Sequence, residues 1–534
     1  MTAVAAPLAT DRAALWSRLT KDRVWDLAVI GGGATGLGIA LDAALRGHSV
    51  VLVESRDFAA GTSSRATKLV HGGVRYLAQG NVALVREALL ERGRLLRNAP
   101  HLARPLPFVM PSYHWWDAPF YGTGLKLYDL MAGREGLAPT RLLTRGQALR
   151  LQRGVQPRGL VGGVEYWDGQ FDDARLALAL ARTAAAQGAL LLNHCEAAAL
   201  THDGGKVSGL ICRDHETGRE ARLQARCVIN ATGVWVDAVR RQDGDATGQP
   251  APSLVAPSQG VHLVVDRGFL PDDHAILVPR TADGRVLFAV PWLGKVILGT
   301  TDTPRTDLPP EPRPLAGEVD FILQEAGRYL ARAPLPGDVR SCWVGMRPLV
   351  KAHDRSGQDT KALSREHTVL ISASGLVTVT GGKWTTYRAM AQDVLDQCER
   401  AALLRAGKIC QTADFPLLGA AGFDAKGASL AGEQGLLLFG SEAAAVQALP
   451  GADQELGGGL TQAMVRFAVR HEYARTVEDV LARRSRLLFL DARWATAMAP
   501  QVGAIVEEET GRDPQLGPFL QLAAQYLTGF PQST

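Results

Sequence analysis

The sequence predicts an α/β chain. A parallel, dinucleotide-binding sheet is assembled from separated segments, an antiparallel-sheet domain is inserted between them, and a mostly helical domain follows. Three observations predict this. Strand-like Trp25–Ile30 runs into Gly31-Gly32-Gly33-Ala34-Thr35-Gly36, a helix-like stretch spans Leu37–Arg46, and a second apolar run, Ser49–Val53, ends at Glu54, 18 positions after Gly36. Strand-like runs separated by turn signals fill the stretch from Gly260 to Ser374. Beyond about residue 405 the chain turns alanine-, leucine- and arginine-rich.

The first observation is a Rossmann-like G-x-G-x-x-G fingerprint in its βαβ setting. Gly31 allows the tight turn, Gly33 lets backbone approach a pyrophosphate, and Gly36 lets helix and strand pack closely. The helix N-terminus aims its N–H groups and positive dipole end at the phosphates. Glu54 is placed to accept hydrogen bonds from an adenosine ribose.

Further on, Asn81–Ala99 reads as a helix with Asn81 as N-cap. Pro105–Pro119 reads as less regular, and Asp172–Gln187 as a helix ending at Gly188. Leu190–Asn193, Val207–Arg213 and Glu220–Ala225 read as short strands, with His215–Gly218 as a hairpin turn. Cys227–Ile229 then enters the small-residue turn Asn230-Ala231-Thr232-Gly233. The inserted sheet draws on His262–Val265, Ala275–Val278, Val286–Val290 and Val296–Gly299. Leu376–Thr380 returns to the first fold, followed by Gly381-Gly382-Lys383 and a helix from Thr385 to about Cys398. The expected partition is 24–75, 170–255 and 370–400 for the dinucleotide domain, 76–169 and 256–369 for the inserted substrate domain, and 405–534 for the helical domain.

Composition narrows the function. At 534 residues the chain has room for several domains. Its net charge is only +4, without a lysine or arginine block of nucleic-acid type. Six cysteines form no C-x-x-C pair or metal-ligand spacing, which reads as reduced, buried thiols and no metal site. Met1–Arg23 lacks the order of a signal peptide, and no run of ~18 apolar residues predicts a membrane span. H-E-x-x-H, G-x-S-x-G and a Walker lysine are missing from any supporting context.

Several blocks together resemble one family. They are Ile30–Gly36, Gly61-Thr62-Ser63-Ser64, Lys68-Leu69-Val70-His71-Gly72-Gly73-Val74-Arg75-Tyr76-Leu77, Asn230–Gly233, Gly260–Val265, Gly299–Thr303, Arg347-Pro348-Leu349, Ser364-Arg365-Glu366-His367, Gly381-Gly382-Lys383-Trp384-Thr385-Thr386-Tyr387-Arg388, Val469–Thr476 and Arg483–Arg486. The chain resembles the FAD-dependent, membrane-associated glycerol-3-phosphate dehydrogenases over about residues 24–500. Gln259 stands where that family's run would carry a basic residue.

The resemblance implies oxidation of sn-glycerol 3-phosphate to dihydroxyacetone phosphate by hydride transfer to FAD, with electrons passed to membrane quinone. It implies a homodimer in the cytoplasm, attached peripherally to the inner face of the cell membrane. Leu125–Arg134 and Arg141–Arg158 are candidate lipid contacts. The FAD contacts it implies fall in four groups: Gly31, Gly33, Ala34, Thr35, Gly36 and Glu54; Thr62, Ser63, Ser64, Lys68, Leu69, His71 and Gly72; Ala231, Thr232 and Gly233; and Gly382, Lys383, Trp384 and Thr385. Arg75, Tyr76 and Arg365 would bind the substrate, the arginine forks suiting a phosphate dianion.

Catalysis would fall to His262, Arg347 and Lys383. A lone histidine amid apolar residues is more often a satisfied core residue, yet by motif His262 maps to the substrate pocket and is the first choice for the base. Arg347 or Lys383 would polarise the reacting oxygen, and Asp302 would turn the chain or fix Lys383. The alternatives are an oxygen-using glycerol-3-phosphate oxidase, a related FAD amine oxidase, and a non-catalytic flavin-binding interaction protein.

Overall fold

The computed structural model describes residues 8, 10–73, 81–281, 284–351, 367–427, 429–433 and 435–528. Two large sheets organise them. The first runs His367–Ile371, Val377–Gly381, Glu220–Asn230, Val24–Ile30, Val50–Val53, Leu190–Leu192, with Lys206–Asp214 and Cys195–Asp203 extending from Glu220–Asn230. Its centre is parallel: Leu27 pairs with both Cys227 and Val50, and Ile229 with Val377. Central strands covered on both faces need unbroken apolar runs, and Val50–Val53 is buried at every position. Helices Ala34–Arg46, Asp173–Ala186 and Tyr387–Arg400 pack around this sheet.

The second sheet is antiparallel except where Ala275–Val278 runs parallel to Ala103–Ser112. It runs Thr303–Pro304, Val255–Asp266, Lys295–Gly299, Leu287–Trp292, Ala275–Val278, Ala103–Ser112, Gly162–Phe171, Leu69–Val70. Ser341–Val350 also pairs with Val255–Asp266, and Arg141–Thr144 with Gly162–Phe171. Leu69–Val70, inside the first stretch read as dinucleotide fold, therefore belongs to this second sheet.

Local expectations fared differently. Helix Val82–Asn98 carries Asn81 as N-cap, its side chain accepting from the Leu84 N–H at 3.1 Å. Asp172 caps helix Asp173–Ala186 in the same way. The irregular reading of Pro105–Pro119 is corrected: Ala103–Ser112 is a strand and Asp117–Ala132 a helix. Pro105, Pro107 and Pro111 share one parity, so their ring nitrogens face a single edge, where only a short neighbouring strand pairs. Strand Cys195–Asp203 was not anticipated, because Ala197-Ala198-Ala199 carries no strand pattern. Residues 405–427 and 429–433 are mostly irregular, and among the described residues the C-terminal α-helices are Ala443–Gln447, Gln462–His471, Leu487–Leu490, Ala492–Thr510 and Leu516–Thr528, with a π-helix at Asp479–Arg484. Among the described residues no helix is long and apolar enough to cross a membrane.

Candidate active site

The glycine turn is built as its spacing requires. Gly31 has φ +108°, and a Cβ there would stand 2.6 Å from the Ala231 carbonyl oxygen. A Cβ on Gly36 would come within 2.0 Å of the Gly31 carbonyl oxygen. Gly33 caps helix Ala34–Arg46, so Ala34, Thr35 and Gly36 form its first turn, where N–H groups lack helical partners. Glu54 follows strand Val50–Val53 and accepts from the Gly32 N–H at 2.7 Å and the Arg56 N–H at 2.8 Å. Ser63 Oγ accepts from the Ala34 N–H at 2.9 Å, which ties the 61–64 loop to the helix start. Ala231 donates to the Ile30 carbonyl at 2.9 Å; Thr232 donates to Asn230 at 2.7 Å, and the Gly233 carbonyl accepts from Thr380. Glycines that a Cβ would block, a helix start and a carboxylate at the next strand end fit a dinucleotide such as FAD.

A cavity of about 1050 Å³ opens beside the 61–64 loop. Its walls include Thr62, Leu69, His71, His262, Arg347, Gly382, Lys383, Trp384 and Thr385. The three expected catalytic side chains are thus brought together with one end of the expected FAD wall. Arg75, Tyr76 and Arg365 lie outside the described residues.

His262 sits mid-strand opposite Trp343, and register makes them stack, with ring centroids 4.1 Å apart and planes 17° off parallel. Its Nε2 lies 3.0 Å from Thr67 Oγ1. Burial pushes the imidazole pKa well below its usual value, and the Lys68 and Arg347 charges push the same way. His262 is therefore uncharged at neutral pH.

Arg347 donates to the Thr301 carbonyl at 3.1 Å and to Thr300 Oγ1 at 3.3 Å, and pairs with Asp302 at 3.3 Å. Ser258 holds the same Asp302 oxygen. A Cβ on Gly260 would stand 2.3 Å from Arg347 Nη2 and 2.5 Å from Thr300 Oγ1, so only glycine leaves room for the guanidinium. Gln259 is buried; it accepts from Arg305 at 2.6 Å and donates to Glu318 at 2.5 Å.

Lys383 precedes the short helical turn Trp384–Thr386, which leads into helix Tyr387–Arg400. Trp384 Nε1 donates to the Ser63 carbonyl at 2.8 Å, and Thr385 Oγ1 reaches the His71 carbonyl at 3.5 Å. Thr62 donates to the Met346 carbonyl at 2.6 Å. The Gly72 N–H donates to Tyr128 at 2.8 Å, Tyr128 to Asp168 at 2.9 Å, and Arg92 pairs with Asp168 at 2.9 Å. That chain braces the His71–Gly73 wall.

Lys68 turns inward. Its ammonium is fully buried, 2.7 Å from Asp173 and 2.8 Å from the Ser64 carbonyl, with the Trp343 ring centroid 4.5 Å away. Burial outweighs Asp173 and, with help from Arg486, pulls its pKa down to about 7. The Lys68 ammonium thus packs against the Trp343 ring that stacks on His262.

Sequence reasoning missed Thr67, Trp343 and Gly260 as site residues. Thr67 lies one residue before a block whose pattern was read, whereas Trp343 is reachable only through the cross-strand register. Asp57, His194 and Asp479 offer ligand atoms within 4.8 Å of one another. Arg483 and Arg484 already bind Asp57, and Arg483 binds Asp479 at 2.7 Å, so this group is an ion-pair network.

The class follows from this geometry together with the family comparisons. A family model described as FAD dependent oxidoreductase matches residues 26–388, and one described as the C-terminal domain of alpha-glycerophosphate oxidase matches 410–516. The chain belongs to the FAD-dependent oxidoreductases, and FAD is its cofactor. The mitochondrial glycerol-3-phosphate dehydrogenase of Homo sapiens is 41% identical over 526 residues, covering 92% of this chain and 71% of that protein. That of Arabidopsis thaliana is 38% identical over 551 residues, covering 95% and 86%. The structure of the glycerol-3-phosphate dehydrogenase from Bacillus halodurans complexed with FAD superposes with a TM-score of 0.72 at 30% identity, covering 98% of both chains. Within its class, this chain belongs to the glycerol-3-phosphate dehydrogenase family. A glycine oxidase from Bacillus cereus, 20% identical with a TM-score of 0.51, shares the fold.

Proposed function

We propose that the protein oxidises sn-glycerol 3-phosphate to dihydroxyacetone phosphate and passes the electrons to a membrane quinone. The observation that carries this reading is the single cavity wall shared by His262, Arg347 and Lys383 beside the Gly381–Thr385 turn. Bound FAD supplies the two-electron acceptor. The segments 24–75, 170–255 and 370–400 would hold it, and 76–169 with 256–369 would supply the substrate wall.

The chain's own residues divide the remaining work. His262, uncharged, takes the C2 hydroxyl proton at its imidazole, with Thr67 Oγ1 fixing the ring. Arg347, held by Asp302 and Thr301, and Lys383 polarise the reacting oxygen and so ease loss of that proton. Arg75, Tyr76 and Arg365 grip the phosphate by the family motif, which holds C2 in place.

The acceptor reading rests on helix Asp117–Ala132. Phe120 and Leu127 line the cavity yet are 72% and 48% exposed, and Leu130, Trp115 and Trp116 are 77%, 77% and 51% exposed. Exposed Lys126, Arg134 and Arg141 flank them. Tryptophans with aliphatic side chains and a basic rim suit an anionic lipid interface. Docked there, the helix would open the cavity toward quinone in the bilayer.

The test is product and acceptor together. Purified protein given sn-glycerol 3-phosphate and a short-chain quinone should form dihydroxyacetone phosphate and quinol in equal amounts, and should float with anionic vesicles. Product formed only with oxygen, with peroxide released, would replace the quinone reading by the oxidase.

A further inference from the structure

Outside the catalytic cavity, one buried charge has nothing to balance it among the described residues. Arg104 lies on strand Ala103–Ser112, is 1% exposed, and has no hydrogen-bond partner at Nε, Nη1 or Nη2 among the described residues. The Phe423 ring centroid stands 5.4 Å from its guanidinium carbon. Burial lowers its pKa, and no carboxylate acts in the other direction. Other buried arginines are matched: Arg92 by Asp168, Arg175 by Glu472, Arg182 by Glu442 and Arg486 by Asp173.

The surroundings are also positive. His101 is 2% exposed, and burial together with Arg175, Arg104 and Arg182 takes its pKa down to about 3, so it stays uncharged. Arg175 and Arg182 are neutralised by their glutamates, which leaves the Arg104 charge as the excess. The roof is tight. A Cβ on Gly440 would stand 2.0 Å from the Gly419 carbonyl oxygen and 3.0 Å from His101 Cγ.

A guanidinium taken out of water with its donors unmet carries a large desolvation penalty. A buried water could meet the N–H groups but could not offset the charge. An anion does both, and the Phe423 ring, its centroid 5.4 Å from the guanidinium carbon, limits its size. We propose that Arg104 holds a small inorganic anion of halide size between strand Ala103–Ser112 and Phe423, where it pins the start of the C-terminal region to the second sheet. Neither Arg104 nor His101 lines the catalytic cavity, so the site is separate from the chemistry.

The experiment compares the FAD-loaded wild-type protein with Arg104→Met, a variant of similar length without charge. Both are exchanged into gluconate buffer, and chloride is then added at constant ionic strength. Chloride should raise the wild-type unfolding temperature by about 2 °C or more, because an anion bound only to the folded state stabilises it by mass action. Arg104→Met should not respond, and in gluconate it should be at least as stable as wild type. Equal responses in the two proteins, or none in wild type, would overturn the site. If Arg104→Met does not fold, wild-type crystals soaked in bromide decide: an anomalous peak at hydrogen-bond distance from the Arg104 guanidinium supports the proposal, and no peak there sinks it.

Discussion

The side chains proposed to act on substrate are held by their neighbours in the same cavity wall. Arg347 reaches the cavity because Gly260 has no side chain and because Asp302, itself held by Ser258, draws the guanidinium toward Thr300 and Thr301. Gly260→Ala should therefore displace Arg347, lowering kcat/KM about 10²-fold or more while flavin content stays at the wild-type level. Arg347→Gln should produce a loss of similar size by removing the charge itself. Steady-state kinetics alongside the flavin-to-protein absorbance ratio checks both; a Gly260→Ala enzyme with normal kinetics would refute the steric account. At this scale the sequence was half legible. That His262, Arg347 and Lys383 share one cavity wall agrees with the distinctive blocks in which they sit; the roles proposed for them are a separate matter. Thr67 and Trp343 were not readable, because their places come from a hydroxyl reaching across to a strand nearly two hundred residues later and from the register of two antiparallel strands.

At the scale of elements, the strand–turn–helix at the start of the chain was fully legible, because its constraint is backbone geometry. A Cβ at position 36 meets a carbonyl oxygen that cannot move without breaking the turn. Gly36→Val should give protein that is insoluble or purifies without yellow colour; normal flavin content would contradict this. Elements set by long-range pairing were hidden. Strand Ala103–Ser112 carries three prolines and still pairs along its length with Gly162–Phe171, because tertiary context overrides propensity. The place of the Lys68 ammonium was hidden for a related reason. Its block is distinctive, but where its ammonium goes depends on Asp173 and on Trp343, neither of which is near it in sequence.

Across the whole molecule, charge networks join the C-terminal region to the cofactor fold. Arg486 donates to the Ser64 carbonyl at 2.7 Å and pairs with Asp173 at 3.1 Å, and Tyr526 donates to Glu311, which grips Arg65. His194 belongs to the same joint. Burial alone would lower its pKa, but Asp479 at 2.9 Å, supported by Asp57, raises it above 6.5. A raised folded pKa means that this stabilisation is fully present below pH about 6.5 and is lost as pH rises through the folded value. His194→Gln should flatten the fall in unfolding temperature across that window; an unchanged profile would remove His194 from the joint. The fold class was legible from the glycine fingerprint and the strand pattern, whereas the contacts that lock its parts were not, since they pair residues as distant as Asp57 and Arg484.

If the cavity seats glycerol 3-phosphate against the flavin, as proposed, anaerobic absorbance of the yellow protein will show it. On this reading sn-glycerol 3-phosphate bleaches the flavin band while glycerol, which lacks the phosphate, does not. A flavin that stays oxidised with sn-glycerol 3-phosphate, yet is reduced by dithionite, would contradict it.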